Sequence, residues 1–353
     1  MKKHLFSFLI LILLTGCLQE RIIDDINLLS AFGYDVSEGG KIKGTGIIPV
    51  YRADKSIDNE SFTAIGNQSK DIIKLMQQKS ADPIENGSVE IILFGKEMAE
   101  KGVIEVIDTL ERDARIGSNI ALAVVDGTAN EVLIKDLGNR GTGTYLSTLI
   151  EHNMKNRNLP LINLHLFLNA YYSKVKDPFL PYIELEDNKV RVKGLALLQE
   201  DKVVSYVDNA DMFFFKTLME NFKNGSHSIK VEDEYVTTFI LTLSRDYKIE
   251  SALSDPVVYL DLKMEGHIRE FSGKILDPKM IKKIEKKYQT IINEKCEKLL
   301  TRFSDENIDP IGVGLMAKTQ TRKFDIEKWK ESYPKTTFRV SSKVTISETG
   351  AIE

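Results

Sequence analysis

Between Asp277 and Phe303, the apolar residues Ile281, Ile284, Tyr288, Ile291, Ile292, Cys296, Leu299, Leu300 and Phe303 recur at three-and-four spacing. That is the period of one face of an α-helix. Asp277-Pro278 heads the run, with aspartate placed as N-cap and proline at the first helical position. A helix of this length with one apolar face gets its stability from whatever it packs on. The flanking segments supply a sheet. Residues 235–251 (YVTTFILTLSRDYKIES) and the following VVYLDLKMEGHIREF read as long strands, and TTFRVSSKVTI (336–346) alternates as a closing one.

The first half mixes strand and helix patterns. INLLSAFGYDV (26–36) and KIKGTGIIPVY (41–51) read as strands joined by Ser37-Glu38-Gly39-Gly40, with SFTAIG as a third. Helical patterns cover Gln68 to Ser80, MAEKGVIEVIDTLERD, Gly141 to Arg157 and Asn163 to Tyr172. VEIILFG (89–95) and NIALAVVDG (119–127) between them give a β-α-β rhythm. Around 176–194 prolines and alternating charges appear, followed by strand, a turn at Glu200-Asp201, and strand. Asp208 is then placed to cap a helix running to Gly225. The fold class is α+β, multi-domain, with mixed sheets, packed helices and one long amphipathic helix near the C-terminus. The expected division is 1–16, then 17–190 as an N-terminal α+β region with room for two subdomains, then 191–353 as a C-terminal α+β domain.

Residues 1–16 stand apart because they read as a leader. Lys2, Lys3 and His4 precede the apolar run LFSFLILILL, which ends in Leu14-Thr15-Gly16-Cys17. About ten residues at 1.5 Å rise reach ~15 Å, half of a ~30 Å hydrocarbon core, so the run is too short to span. The tetrapeptide matches a bacterial lipobox, in which Cys17 takes a diacylglycerol thioether and its freed amine can be acylated. Two or more chains anchor stably. Cys296, the other of two cysteines, is then left without an intrachain disulfide partner and reads as a small core residue. With 42% hydrophobic and 28% charged residues, the body is a folded one. The net charge of −4, more negative once Lys2 and Lys3 are removed, argues against a nucleic-acid binder.

The search for chemistry yields neither a catalytic set nor a metal or cofactor site. His4, His152, His165, His227 and His267 are scattered, without the spacing of a zinc site. Asp305, Asn307 and Asp309 start like a calcium loop. Pro310 and Met316 then occupy the positions that need glycine and glutamate. GNRGTGTY lacks the Gly-Lys-Ser/Thr of a P-loop, and no Gly-x-Ser-x-Gly elbow occurs. Lys282-Lys283 and Lys286-Lys287, interleaved with glutamates, read as a solvated helix face rather than a lipid-binding stripe.

The order of several marks is more informative. QERIIDDINLLSAFGYD follows the lipobox; KDPFLPYIEL and VKGLALLQEDKVV come mid-chain; DPIGVG then precedes WKESYP (329–334) and a last strand closing on ISETG. This series, from Leu14 to about Gly350, resembles the Ger(x)C family, the lipoprotein C subunits of spore germinant receptors. Leu18-Gln19 departs from it where the family often has Trp-Asp. The resemblance implies a non-catalytic subunit held at the inner spore membrane by lipid on Cys17. Its partners would be two integral-membrane subunits (A and B types, one a permease-like transporter), which together respond to nutrients. It also implies a turn at Asp309-Pro310, Gly312 and Gly314 entering the C-terminal helices, and a packing motif of Trp329, Tyr333 and Pro334. The residues that bind any ligand are not identified. The competing class, a lipid-anchored solute-binding protein of a transporter, calls for two similar lobes on a hinge. The two halves of this chain are unlike.

Overall fold

In the computed structural model, residues 26–347 are described; the leader, Cys17 and the residues from Glu348 on lie outside them. The strands form two main sheets. The first contains β2 (Ala31–Val36), β3 (Ile42–Tyr51), β4 (Ile57–Gly66), β6 (Ile91–Gly95), β7 (Ala121–Val125), β8 (Phe179–Glu186), β9 (Lys189–Gln199) and β10 (Lys202–Asp208), in the order β10-β9-β8-β7-β6-β2-β3-β4. Its centre, β8-β7-β6-β2, is parallel, and an antiparallel pair is added at each side. A two-residue pairing of β1 (Asn27–Leu28) with β5 (Ile84–Glu85) ties down the start of the described chain.

The central strands show why their sequences are continuous apolar runs. Every residue of β6 is buried, as are the first five of β2. Parallel strands need crossovers, and the crossover helices cover both faces of the sheet. These are α1 (Ser69–Gln77), α2 (Lys96–Lys101), α3 (Ile104–Glu111), α4 (Ala129–Leu133), α5 (Thr142–Asn156) and α6 (Leu164–Ser173). The helical pattern expected over MAEKGVIEVIDTLERD breaks into α2 and α3 at Gly102-Val103.

The second sheet has the order β11-β12-β13-β14, with β11 (Gly225–Val231), β12 (Glu234–Glu250), β13 (Val257–Phe271) and β14 (Thr337–Ser347). Here alternation is clear. Val258, Leu260, Leu262 and Met264 are buried, while Asp261, Lys263 and Glu265 are exposed, so one face is packed and the other is wet. β13 and β14 are parallel, and the long helix is part of the crossover between them. Before it comes α7 (Met212–Met219). The crossover itself is α8 (Pro278–Asp305), α9 (Val313–Gln320) and α10 (Ile326–Ser332). Helix α8 has 28 residues. The Asp277 carboxylate accepts from the Met280 N–H at 2.7 Å, and Ile281, Ile284, Tyr288, Ile292, Cys296, Leu299, Leu300 and Phe303 are buried. Burial pushes the Cys296 thiol up, away from the reactive thiolate. Lys282, Lys283, Lys286 and Lys287 are exposed, with Lys283 paired to Glu232 at 2.8 Å. Glu285 turns the other way and accepts from the Ile346 N–H at 2.9 Å on β14.

One expectation needs correction. Asp208 ends β10 and caps nothing. The helix starts at Met212 after Asp211 and stops at Met219, well short of Gly225. Met212 through Leu218 are all buried, whereas Glu220 to Asn224 offer no apolar face. They run out as extended chain, with Phe222 bridging Leu243, into β11, a strand the sequence pattern had hidden. Residues 190 and 191 lie in β9, within the β8–β9 hairpin. Asp187 (φ 48°) and Asn188 (φ 59°) form its two-residue turn, and Glu186 pairs with Lys189, so the first sheet runs on to Asp208.

His227 on β11 is enclosed by Phe213 (ring centroids 4.2 Å apart), Phe214 (5.2 Å) and Tyr288 (6.0 Å), with its buried Nδ1 unpartnered. Burial lowers its pKa to about 4. A depressed histidine contributes stability that is present above its unfolded pKa near 6.5 and is lost as pH falls through 4. We expect the wild type to lose up to about 3 kcal/mol between those values relative to His227→Phe, in which other titrating groups cancel. Urea titrations of both proteins at pH 7, 5.5 and 4 measure this, and parallel curves would refute it.

Candidate functional site

The marks carried by the C-terminal half converge where the two sheets meet. Asp309, between α8 and α9, is buried. Its Oδ1 accepts from the N–H groups of Gly312 (2.8 Å) and Val313 (2.9 Å), and its Oδ2 accepts from Gly314 (2.7 Å). One carboxylate thus satisfies three donors at the start of α9 that no helix can satisfy internally. Asp309 also bonds across the joint. Its N–H donates to Asp177 Oδ2 at 2.7 Å, and its carbonyl accepts from the Asp177 N–H at 2.9 Å. Asp177 lies just ahead of β8, and its Oδ1 also accepts from the Glu200 N–H at 3.3 Å. The two segments are 132 positions apart in sequence.

Burial raises the Asp309 carboxyl to about 6 against the pull of its N–H donors, and the nearby Asp177 charge adds to the rise. Asp177 is raised too, chiefly by burial. Both carboxylates are committed to backbone donors, an arrangement that builds a joint rather than moving protons.

The glycines give this joint its closeness. A Cβ on Gly314 would lie 2.6 Å from Trp329 Nε1 and 2.6 Å from the Val175 carbonyl. Gly312 has φ +84°, and the Lys176 stem lies 3.0 Å from where its Cβ would be. Trp329, 2% exposed, is 5.5 Å from the Tyr333 ring and 6.0 Å from Phe324. The Tyr333 hydroxyl donates to the Ile308 carbonyl at 2.9 Å, next to Asp309. Pro334 is exposed in the 3-10 turn Tyr333–Lys335, so it shapes the approach to β14 and is not part of the packing. Asp309, Gly312 and Gly314 form a turn into α9, and Trp329 and Tyr333 pack beside it, a convergence of two marks that the sequence had shown separately. Cys17 lies outside the described residues. The aborted calcium-loop pattern is explained as well, because the Asp309 oxygens already hold backbone N–H groups. Among the described residues no group of three or more His, Cys, Asp and Glu is placed to hold a metal.

Sequence reasoning missed the other half of the joint. Asp177 was visible only as part of KDPFLPYIEL. A second tie is Lys216 on α7, buried, whose Nζ donates to the carbonyls of Met154 (2.9 Å) in the last turn of α5 and of Arg157 (3.0 Å) and Leu159 (3.1 Å) just beyond it. Its position inside an apolar run hinted at burial without naming a partner. Asp35, buried at the end of β2, likewise accepts from the Ala129 (2.7 Å) and Asn130 (2.9 Å) N–H groups at the start of α4.

Comparison with known proteins agrees with this architecture. The family description "spore germination protein N-terminal domain" matches residues 19–185, and "spore germination B3/GerAC like, C-terminal" matches residues 193–350. The chain belongs to the Ger(x)C family of spore germination proteins. It is 33% identical over 362 residues to the spore germination protein GerQC of Bacillus cereus, covering 100% of each chain. It shares its fold with the crystal structure of the GerBC protein at TM-score 0.61 and 14% identity, covering 89% of this chain and 96% of that one.

Replacing Asp309 by Ala should orphan the Val313 and Gly314 N–H groups and leave Gly312 only its long bond to the Asp309 carbonyl at 3.3 Å. At about 1–3 kcal/mol for each unsatisfied buried group, a loss of at least ~2 kcal/mol is expected. Asp309→Asn, which keeps one acceptor oxygen, should lose less. Trp329→Ala should cost ~3–5 kcal/mol by emptying a filled site. Chemical denaturation measures all three, and a variant that unfolds with the wild type would place its residue outside the joint.

Proposed function

We propose that this protein is the lipid-anchored, non-catalytic C subunit of a nutrient germinant receptor at the inner membrane of the spore. There it would assemble with permease-like A- and B-type integral-membrane subunits. The observation that carries the reading is the family match running through both halves of the chain behind a lipobox at Leu14-Thr15-Gly16-Cys17. The structure supports it in three ways. No helix among the described residues is long and apolar enough to cross a membrane, so a lipid on Cys17 is the attachment the sequence offers. The buried Asp35 and Asp309 and the half-buried Asp177 all accept backbone hydrogen bonds that hold elements together. The two sheets also differ in size, topology and covering, unlike the paired lobes of a solute-binding protein. A tether confines the body to a thin layer at the membrane, where a raised effective concentration lets modest interfaces hold the complex.

Replacing Cys17 by Ala should release the protein from the spore membrane fraction or leave it unprocessed, and should abolish germination through its receptor while other receptors still respond. Membrane fractionation and single-nutrient germination assays check the two halves of this expectation. Full retention and activity in the variant would remove the lipid from the mechanism.

A further inference from the structure

Beside the joint, next to Asp177, lies a cleft of about 200 Å³, smaller than one of about 320 Å³ lined by residues of β4 and α1. The smaller cleft is lined by Leu161, Ile162, Leu166 and Ala170 from α6 and the loop before it, by Phe179 of β8, and by Met219 and Glu220 at the end of α7. Its walls are apolar, and Lys176 also lines it.

Lys176 is unusual because it forms no ion pair or side-chain hydrogen bond among the described residues. Its stem is laid across Gly312, at the one residue of the Asp309 turn that leaves room for it. The acid that acts on it, Asp309, is turned onto three backbone N–H groups. A second cation adds to the imbalance. Arg245 also acts on Lys176; it donates through Nη2 to the Met219 carbonyl, and its Nε is buried without a partner. The remaining acid in the cleft, Glu220, is held by Lys216 at 3.5 Å. Burying an ammonium without a counter-ion is costly, and burial accordingly lowers the Lys176 pKa.

We propose that this cleft is a binding site for a small monocarboxylate with an apolar tail, its carboxylate meeting Lys176 and its tail lying against Leu161, Leu166, Phe179 and Met219. The size fits, since an apolar cavity of ~150 Å³ holds a molecule as large as benzene. An amino acid fits less well, because the cleft offers its ammonium no uncommitted acid. The site is independent of the lipid anchor and of receptor assembly.

The test uses the full-length protein in detergent micelles, with sodium hexanoate as probe at constant ionic strength. Hexanamide serves as the uncharged isostere and leucine as the zwitterion. Saturation-transfer NMR and the thermal midpoint should both report saturable binding of hexanoate in the millimolar range. Hexanamide and leucine should bind at least about tenfold more weakly. Lys176→Gln should abolish the response and, by removing a half-buried charge without a counter-ion, leave the unliganded protein at least as stable. Asn169→Trp, at an exposed position on the rim, should block the tail without touching the charge. Equal responses to hexanoate and hexanamide, or an unchanged hexanoate response in Lys176→Gln, would overturn the site. So would the absence of any saturable response in the wild type.

Discussion

The reciprocal pair between Asp309 and Asp177 holds the molecule's two sheets in one body. Each residue gives the other a backbone hydrogen bond, and each carboxylate reaches further, Asp309 to the start of α9 and Asp177 to the β9–β10 turn. One side of this contact is fixed by the entry to β8, the other by the exit from α8. The position of α8 on the second sheet is therefore referred back to the first sheet through a few ångströms of backbone. Lys216, capping the carbonyls at the end of α5 from α7, makes the same kind of tie from the opposite direction. Both ties use a buried charge to satisfy backbone groups that would otherwise be orphaned where helices begin or end.

What could be read from the sequence follows from how far each signal reaches along the chain. Helix α8 was legible in full, because its cap, its proline and its apolar stripe are all local. The strands of the second sheet were legible because one wet face leaves an alternating pattern. Strand β11 was not. GSHSIKV has little apolar content, and it becomes a strand by pairing with β12. The end of β10 misled for a related reason. Asp208 is a good cap residue in isolation, but β-pairing to Gly194 holds it in the ladder.

The joint divides in the same way. Gly312, Gly314, Trp329 and Tyr333 stood out through their order along the chain, and the structure gives that order a physical content. The glycines are small because an indole and a lysine stem pass within contact distance of their α-carbons. Asp177 and Lys176 did not stand out, because their meaning depends on a residue far downstream. A carboxylate whose work is to receive backbone donors carries no spacing rule. Its role appears only when the partner segment is in place.

The pairing of β1 with β5 has a consequence for geometry at the membrane. Asn27 donates to the Pro83 carbonyl at 2.8 Å and Leu29 to that of Glu85 at 2.9 Å, so the chain is stitched to β5 almost as soon as its described part begins. Counted from Cys17, only some ten residues precede that stitch, and even fully stretched they reach no more than about 35 Å. With lipid on Cys17, the leash is shorter than α8 itself, which at 28 residues and 1.5 Å rise is ~42 Å long. A body on so short a leash cannot tumble freely end over end. With that anchor the β1–β5 corner would stay within about 35 Å of the bilayer, so the surfaces offered to neighbours in the membrane would be restricted before any protein contact forms.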